Sequence, residues 1–471
     1  MTSKQEKHLA VFIHGLWGSY KHMGSLQQMF KKLIDSKEEI ICYAPRQNAV
    51  FKTFDGIEII GYRVIVEICQ YMKQYREENP KSEIKKISIV GYSLGGLIAR
   101  FVVGKMFTEC REFFQDIEPV MFLTMATPHL GIHFYNPLSI KYKWLLDPVL
   151  TFLGSTLIGK SGRELFIMNR SNSILVELSQ GEFLDALAKF RWRMVFANVK
   201  NDRTVAFYTA FITEYDPFIS TNNTLMYKFE QNLPGSDYTN ILPRIVDLNQ
   251  LNKNVKLIPG KSKKSKVTLK TVLQTIGLIF LGLFIVLPIA LIFNICGTLY
   301  SHLATLKYQK MIANGQISIV VREKIGLTEQ LRSYVSETYE SIINTEDTND
   351  NEDITDTIKL ENKRSSKSIA EESQIFQEFL SKYSNITKDD QNWTHEFEPL
   401  PLDNNRRTIL NNLSKLNWIR VPIYVKARNA HGGIVARQGI NDTMAPTSLA
   451  SVEFVSKLSN YLISHEDANI Y

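Results

Sequence analysis

Short apolar runs alternate with amphipathic stretches from residue 9 to about residue 215 of the chain. The apolar runs predict strands over residues 9–13, 40–44, 87–90, 120–125 and 194–198. Apolar residues spaced three and four positions apart predict helices over Ile57–Glu78 and over residues 97–107. Because strands that alternate with helices usually pair in parallel, the pattern predicts an α/β fold with a mostly parallel sheet.

Residues 91–95 read Gly-Tyr-Ser-Leu-Gly and lie between the predicted strand 87–90 and the predicted helix 97–107. A Gly-x-Ser-x-Gly pattern in this position is typical of a nucleophile elbow, a sharp turn that holds a serine above the sheet edge. The alternative is a glycine-rich connection with a serine that caps the helix. The placement favours Ser93 as a catalytic nucleophile.

An acid must follow the serine in the chain, because hydrolases of this kind use the order serine, acid, histidine. Asp202 lies in the turn after the strand 194–198, at the same sheet edge as Ser93. We therefore predict that Asp202 is the acid, with Asp185 and Asp216 as weaker substitutes. A turn or helix-cap aspartate is the alternative interpretation.

The base is sought among nine histidines. His431 follows both Ser93 and Asp202, and it lies in a turn with two glycines after a strand predicted over residues 422–427. The other histidines precede the acid, lie in the uncharged stretch or fall in polar sequence. We therefore predict that His431 is the general base.

The first predicted strand ends in His-Gly-Leu-Trp-Gly, residues 14–18. Such a turn supplies hydrolases with one of the two main-chain donors that hold an oxyanion. We expect the amides of Leu16 and Leu94 to be these donors. His14 is expected to orient the turn, since its chain order is wrong for the base.

Five motifs in order carry a resemblance to a known family. They are residues 14–18, residues 91–96, Ala-Thr-Pro-His-Leu-Gly at 126–131, Asn-Val-Lys-Asn-Asp-Arg-Thr-Val at 198–205 and Asn-Ala-His at 429–431. Together they resemble the serine esterase (lipase-like) family of eukaryotes, most closely its fungal lipid-droplet phospholipases. The resemblance implies an α/β-hydrolase fold, hydrolysis of acyl esters, a glycerolipid substrate, and no metal or other cofactor.

Residues 271–306 contain no charged residue, and fourteen of the eighteen residues from 276 to 293 are Ile, Leu, Val or Phe. These favour membrane insertion by roughly 4 to 8 kcal/mol. A single crossing would put a hydrocarbon layer of about 30 Å between Ser93 and His431. Two full crossings need about 40 residues, and 36 are present. We therefore predict a shallow hairpin that turns near Pro288; a soluble core helix is the alternative.

Charge and composition restrict the partners. The chain has 55 Lys and Arg against 48 Asp and Glu, a net charge of +7 that does not favour a nucleic-acid partner. Seven lysines between residues 253 and 270 precede the apolar stretch and are expected to contact anionic head groups.

The four cysteines are widely spaced, which indicates reduced thiols. No apolar run near the N-terminus is long enough for a signal peptide, so we expect this part of the chain to face the cytosol.

Five segments are predicted. They are a hydrolase core over 1–245 with an inserted cap at about 130–190, a basic juxtamembrane segment at 246–270, a membrane-anchoring hairpin at 271–306, an acidic and partly disordered linker at 307–405, and a return to the core at 406–471. We expect a phospholipid hydrolase of the lipid droplet or endoplasmic reticulum surface, with its catalytic part facing the cytosol. A triacylglycerol or steryl-ester lipase and a catalytically silent lipid-surface scaffold remain alternatives.

Overall fold

The computed structural model describes a chain with a parallel sheet at its centre. The described residues are 4–34, 40–133, 135, 158–168, 173–219, 225–252, 369–384, 394, 397–427, 429–440 and 445–465, with nine single residues between 284 and 306. The seven lysines at 253–270 and residues 307–368 of the predicted acidic linker lie outside the described residues.

Six strands form the sheet, and every neighbouring pair is parallel. The strands are β1 (Gln5–Ile13), β2 (Ile40–Tyr43), β3 (Ser82–Tyr92), β4 (Glu118–Met125), β5 (Trp192–Asn198) and β8 (Ile419–Ile423), in the order β2-β1-β3-β4-β5-β8. A separate antiparallel pair consists of β6 (Met226–Phe229) and β7 (Val246–Asn252). The predicted mostly parallel α/β sheet is confirmed.

Helices cover both faces of the sheet. They are α1 (Gly24–Leu33), α2 (Ile57–Glu78), α3 (Leu94–Glu109), α4 (Arg111–Phe114), α5 (Gly159–Leu165), α6 (Ile174–Glu177), α7 (Gly181–Lys189), α8 (Phe207–Phe211), α9 (Ile369–Tyr383), α10 (Asn404–Leu413), α11 (Ala430–Gly433) and α12 (Pro446–Ser464), with short 3-10 turns at Tyr20–Met23 and Val50–Phe54. In β1, Val11 packs with α2 and α3 while Phe12 packs with α1 and α12. Burial on both faces explains why the strands read as continuous apolar runs.

The last strand of the sheet begins and ends earlier than predicted. The prediction placed a strand over residues 422–427, whereas β8 spans Ile419–Ile423. Beyond β8 the main chain bonds to partners outside the sheet: the Tyr424 amide donates to the Arg244 carbonyl, and the Lys426 amide donates to the Thr447 hydroxyl. The apolar run therefore continues past the end of the ladder.

Two predicted insertions contain parts of the core. Helix α7 lies within the predicted cap, but its Phe183 packs in the same apolar cluster as α3. Helix α9 lies within the predicted linker, but Phe376 packs against Phe454 and Tyr461 of α12 with ring centroids 6.1 and 5.3 Å apart. Similarly, β7 occupies the start of the predicted juxtamembrane segment. For these elements, the spacing of apolar residues within the element indicates core packing better than the average polarity of the surrounding sequence does.

The predicted hairpin at residues 271–306 falls mostly outside the described residues, and the nine residues described in this stretch do not show a hairpin. Seven of the described residues in this stretch are large apolar residues with exposed side chains: Phe284, Leu291, Ile292, Ile295, Leu299, Leu303 and Leu306. Within the part of the chain that is described, no helix has the length and apolar character needed to cross a membrane.

Candidate active site

Ser93 lies in the turn between β3 and α3. Its backbone has φ 55° and ψ −129°, a left-handed region that non-glycine residues rarely adopt. Its amide donates to the carbonyl of Met125 at the end of β4, over 2.9 Å. The strained turn is thus tied to the neighbouring strand, as a nucleophile elbow requires.

Two glycines let the turns at the ends of β1 and β3 come close together. A Cβ atom added at Gly95 would lie 2.1 Å from the carbonyl oxygen of Ile13, and one added at Gly15 would lie 2.6 Å from the Cβ of Ser93. A side chain would overlap the neighbouring turn at either position, so the packing requires glycine at both. The His-Gly turn therefore lies directly against the nucleophile.

The structure brings the three predicted triad residues into one hydrogen-bonded chain. The Nε2 atom of His431 lies 2.9 Å from the Oγ of Ser93, and its Nδ1 lies 2.9 Å from the Oδ2 of Asp202. With the ring proton on Nδ1, His431 donates to the carboxylate and can accept the serine proton at Nε2. The pairs are separated by 338 and 229 residues in sequence.

The carboxylate of Asp202 is held by donors on both oxygens. Its Oδ1 accepts hydrogen bonds from the amides of Thr204 and Val205, and its Oδ2 accepts one from the Asn198 side chain. Burial alone would raise the pKa of Asp202, but the charge and hydrogen bond of His431, followed by these other donors, hold the pKa below its usual value. Asp202 is therefore ionised beside the imidazole.

Asn198 joins the turn of the acid to the loop of the base. Its side-chain nitrogen donates both to Asp202 and to the carbonyl of Ala430. The Ala430 amide in turn donates to the carbonyl of Asn201, which has a left-handed φ of 60°. Sequence reasoning treated Asn198 only as the end of a strand, although it begins the fourth shared motif.

Tyr92 and Arg437 hold the loop of His431 from the other side. The Tyr92 hydroxyl donates to the main-chain carbonyl of His431 over 2.9 Å, and Arg437 donates to that hydroxyl over 2.7 Å. The Arg437 guanidinium also lies over the Tyr92 ring, 4.9 Å from its centroid. Neither residue was predicted from the sequence, because a tyrosine or an arginine does not by itself indicate that it positions a catalytic loop.

The two expected oxyanion donors flank the serine. Leu94 is the first residue of α3, where helix amides have no partner within the helix. Leu16 lies in the turn closed by the bond from the Gly18 amide to the Gly15 carbonyl. Neither the Leu16 nor the Leu94 amide donates to another described residue, and the positive end of the α3 dipole favours a negative charge there.

Among the described residues, the remaining candidates form their hydrogen bonds outside the triad. His14 is buried with Nδ1 3.0 Å from the Gly15 carbonyl, and burial lowers its pKa to about 4 despite that bond. Asp185 is exposed on α7. Asp216 accepts hydrogen bonds from the amides of Tyr208 and Phe218, and burial raises its pKa to about 7. Within the described ranges, no group of three His, Cys, Asp or Glu residues is placed to hold a metal ion.

Residues 3–215 match the model of the family described as "Putative serine esterase (DUF676)". Over these residues the chain is similar to the members of that family. The match includes Ser93 and Asp202, whereas His431 lies outside it.

Relatives in yeasts carry lipase names. The chain is 32% identical to "Putative lipase ROG1" of Saccharomyces cerevisiae over 54% of its own length and 35% of that protein's. It is 29% identical to "Putative lipase C4A8.10" of Schizosaccharomyces pombe, over 44% and 26%. Across four yeast relatives, the matched region covers between 26% and 41% of the relative's own length. The mature form of Bacillus licheniformis lipase BlEst2 is 15% identical, with a TM-score of 0.24, over 42% of this chain and 68% of that one.

Proposed function

We propose that this protein is a serine hydrolase of the α/β-hydrolase type that cleaves carboxylic esters of lipids, foremost phospholipids. The observation that carries the proposal is the chain of hydrogen bonds from Ser93 through His431 to Asp202, with 2.9 Å at each step. The elbow geometry of Ser93 supports the nucleophilic role. The family match and the lipase names of the relatives support a lipid ester as substrate.

The proposed reaction has two acyl-transfer steps. The Ser93 hydroxyl attacks the ester carbonyl while His431 takes its proton, and Asp202 stabilises the imidazolium. The amides of Leu16 and Leu94 stabilise the oxyanion of the tetrahedral intermediate. The intermediate expels the alcohol, which takes the proton from His431. Water, deprotonated by His431, then attacks the acyl-enzyme, and His431 returns the proton to the Ser93 oxygen as the fatty acid leaves.

The pairing of β8 with β5 supports a topology in which the chain returns to the side it started from. The chain before residue 253 and the chain after residue 368 both contribute strands to this sheet, so the segment between them begins and ends on the same side of any membrane. A hairpin at 271–306 satisfies this, and the protein would lie on a lipid droplet or on the cytosolic face of the endoplasmic reticulum. A glycosylation acceptor introduced beside Pro288 tests it, since sugar addition in the lumen contradicts a shallow hairpin.

The deciding experiment measures fatty acid and lysolipid release by the purified full chain from a panel of phospholipids, triacylglycerols and steryl esters. Ser93→Ala should lower the rate by at least about 1,000-fold. Ser456→Ala is the matched control, since the Ser456 hydroxyl only donates to a carbonyl within α12. Equal rates for Ser93→Ala and wild type would refute the nucleophile and favour the scaffold. The preferred lipid class separates a phospholipase from a neutral-lipid lipase.

A further inference from the structure

An aromatic cluster whose exposed member is Trp17 lies beside the proposed oxyanion turn. Trp17 directly follows Leu16 and is 45% exposed, and its ring packs against Phe51 and Phe54 with centroids 4.8 and 5.3 Å away. We call these three residues the aromatic platform. Outside residues 284–306, the exposed large apolar side chains of the described part are Trp17, Met168 and Met226.

The backbone holds the platform in place. Trp17 has a left-handed φ of 54°, and its amide donates to the Thr53 hydroxyl over 2.9 Å. The Val50 amide also donates to the Gly18 carbonyl, so the two loops that carry the aromatic rings are joined. A strained, hydrogen-bonded backbone that presents a large apolar ring to solvent is costly unless the ring has a partner.

The loops that carry the platform are basic. Lys21, Arg46 and Lys52 lie on them, and neither residues 14–34 nor residues 40–54 include an acid. The Arg46 guanidinium lies 4.7 Å from the centroid of the Tyr20 ring, which places this charge beside the platform loop. Indole rings flanked by Lys and Arg are favoured at the boundary between anionic head groups and acyl chains.

We propose that the aromatic platform is an interfacial contact that seats the mouth of the active site on an anionic phospholipid surface. This contact is separate from the predicted hairpin at 271–306, and it rests on the proposed function. Trp17 follows an oxyanion donor directly, so lipid bound there lies next to Ser93. The platform would deliver the ester from the surface to the nucleophile, whereas the hairpin would only retain the protein nearby.

The test compares two substrates for the full-length protein: a soluble short-chain nitrophenyl ester, and phosphatidylcholine vesicles with or without about a third anionic lipid. Trp17→Ala should lower vesicle hydrolysis by about 10-fold, a loss at least about 3-fold greater than its effect on the soluble ester. Met226→Ala, which removes an equally exposed side chain from β6, should change neither rate. Equal loss on both substrates, or no loss on vesicles, would overturn the proposal.

Charge provides a second arm. Lys52→Gln combined with Lys21→Gln should reduce the preference for anionic vesicles by about 5-fold or more. Lys415→Gln is the control, since Lys415 is exposed between α10 and the start of β8, at the opposite sheet edge. An unchanged preference in the double variant would also overturn the proposal. Ser93→Ala separates the two hypotheses: if it hydrolyses both substrates as fast as wild type, the proposed function itself fails.

Discussion

The Tyr92 hydroxyl donates a hydrogen bond to the main-chain carbonyl of His431, with 2.9 Å between the oxygens. Tyr92 immediately precedes Ser93, so the strand that presents the nucleophile also fixes the loop that presents the base. The two rings are 5.1 Å apart, and Arg437 holds the hydroxyl from behind. The position of the imidazole relative to Ser93 therefore depends on a residue with no chemical role of its own.

Tyr92→Phe should lower kcat for an ester substrate about 5- to 10-fold and leave KM nearly unchanged. The change removes one buried hydrogen bond, worth about 1 kcal/mol, and leaves the Arg437 donor without its acceptor. Steady-state kinetics on a soluble ester measures the effect. Tyr62→Phe is the control, because the Tyr62 hydroxyl bonds to Glu109 in an exposed pair far from the triad. An unchanged kcat for Tyr92→Phe would mean that other contacts position His431.

Asp202→Asn should lower kcat by about 1,000- to 10,000-fold, as in other hydrolases with this triad. An amide at this position can donate to Nδ1 of His431, which favours the tautomer that cannot take the serine proton at Nε2. Labelling of Ser93 with a fluorophosphonate should slow in parallel. Asp185→Asn changes an exposed carboxylate on α7 and should leave both readouts unchanged. A similar loss in the two variants would contradict the assignment of the acid.

The proximity of Ser93, Asp202 and His431 in space could be predicted, because each lies in a recognisable local sequence pattern and each follows a strand. Parallel strands put all their carboxyl ends at one edge, so three turns far apart in sequence meet there. The order of triad residues along the chain then excluded the five histidines that precede Asp202, and the sequence context selected His431 among the remaining four.

The contacts that fix this geometry could not be predicted from the same signals. The roles of Asn198 and Tyr92 depend on which atoms their side chains reach with hydrogen bonds. Those partners are set by how β3, β5 and the α11 loop pack against one another. Helix α9 was missed for a different reason. Its apolar stripe is short and lies next to acidic, Ser-rich sequence, so composition over a long window concealed a segment that packs on α12.

His8 should make folding stability depend on pH. It is buried between β1 and β3 with Nε2 2.8 Å from the Ser88 hydroxyl, and burial, with Lys86 nearby, lowers its pKa to about 3. In the unfolded chain the His8 imidazole takes up a proton as the pH falls through about 6.5, whereas in the folded chain it stays neutral down to a pH of about 3. Stability from this group is therefore full above pH 6.5 and falls by about 1.4 kcal/mol per pH unit below it.

His8→Gln should remove this dependence while it keeps a hydrogen-bonding group. Between pH 6.5 and pH 5, wild type should lose about 2 kcal/mol more unfolding free energy than the variant. Urea unfolding of both proteins at several pH values measures this difference. The other titrating groups are present in both proteins, so their contributions cancel. Ser88→Ala should lower stability at every pH but preserve the wild-type slope. A His8→Gln curve parallel to that of wild type would rule out the buried neutral imidazole.

Gly95→Ala should prevent the elbow from forming. An added Cβ would lie 2.1 Å from the Ile13 carbonyl oxygen, and that atom belongs to the main chain of a buried strand, so it cannot move aside cheaply. We expect a large loss of soluble protein or of Tm, with no labelling of Ser93. Gly24→Ala is the matched control, because no atom lies within 4 Å of its added Cβ and its backbone is already helical. That variant should be unchanged or more stable by up to about 1 kcal/mol. If Gly95→Ala keeps the wild-type Tm, the turns after β1 and β3 do not touch, and Leu16 is too far from Ser93 to share its oxyanion with Leu94.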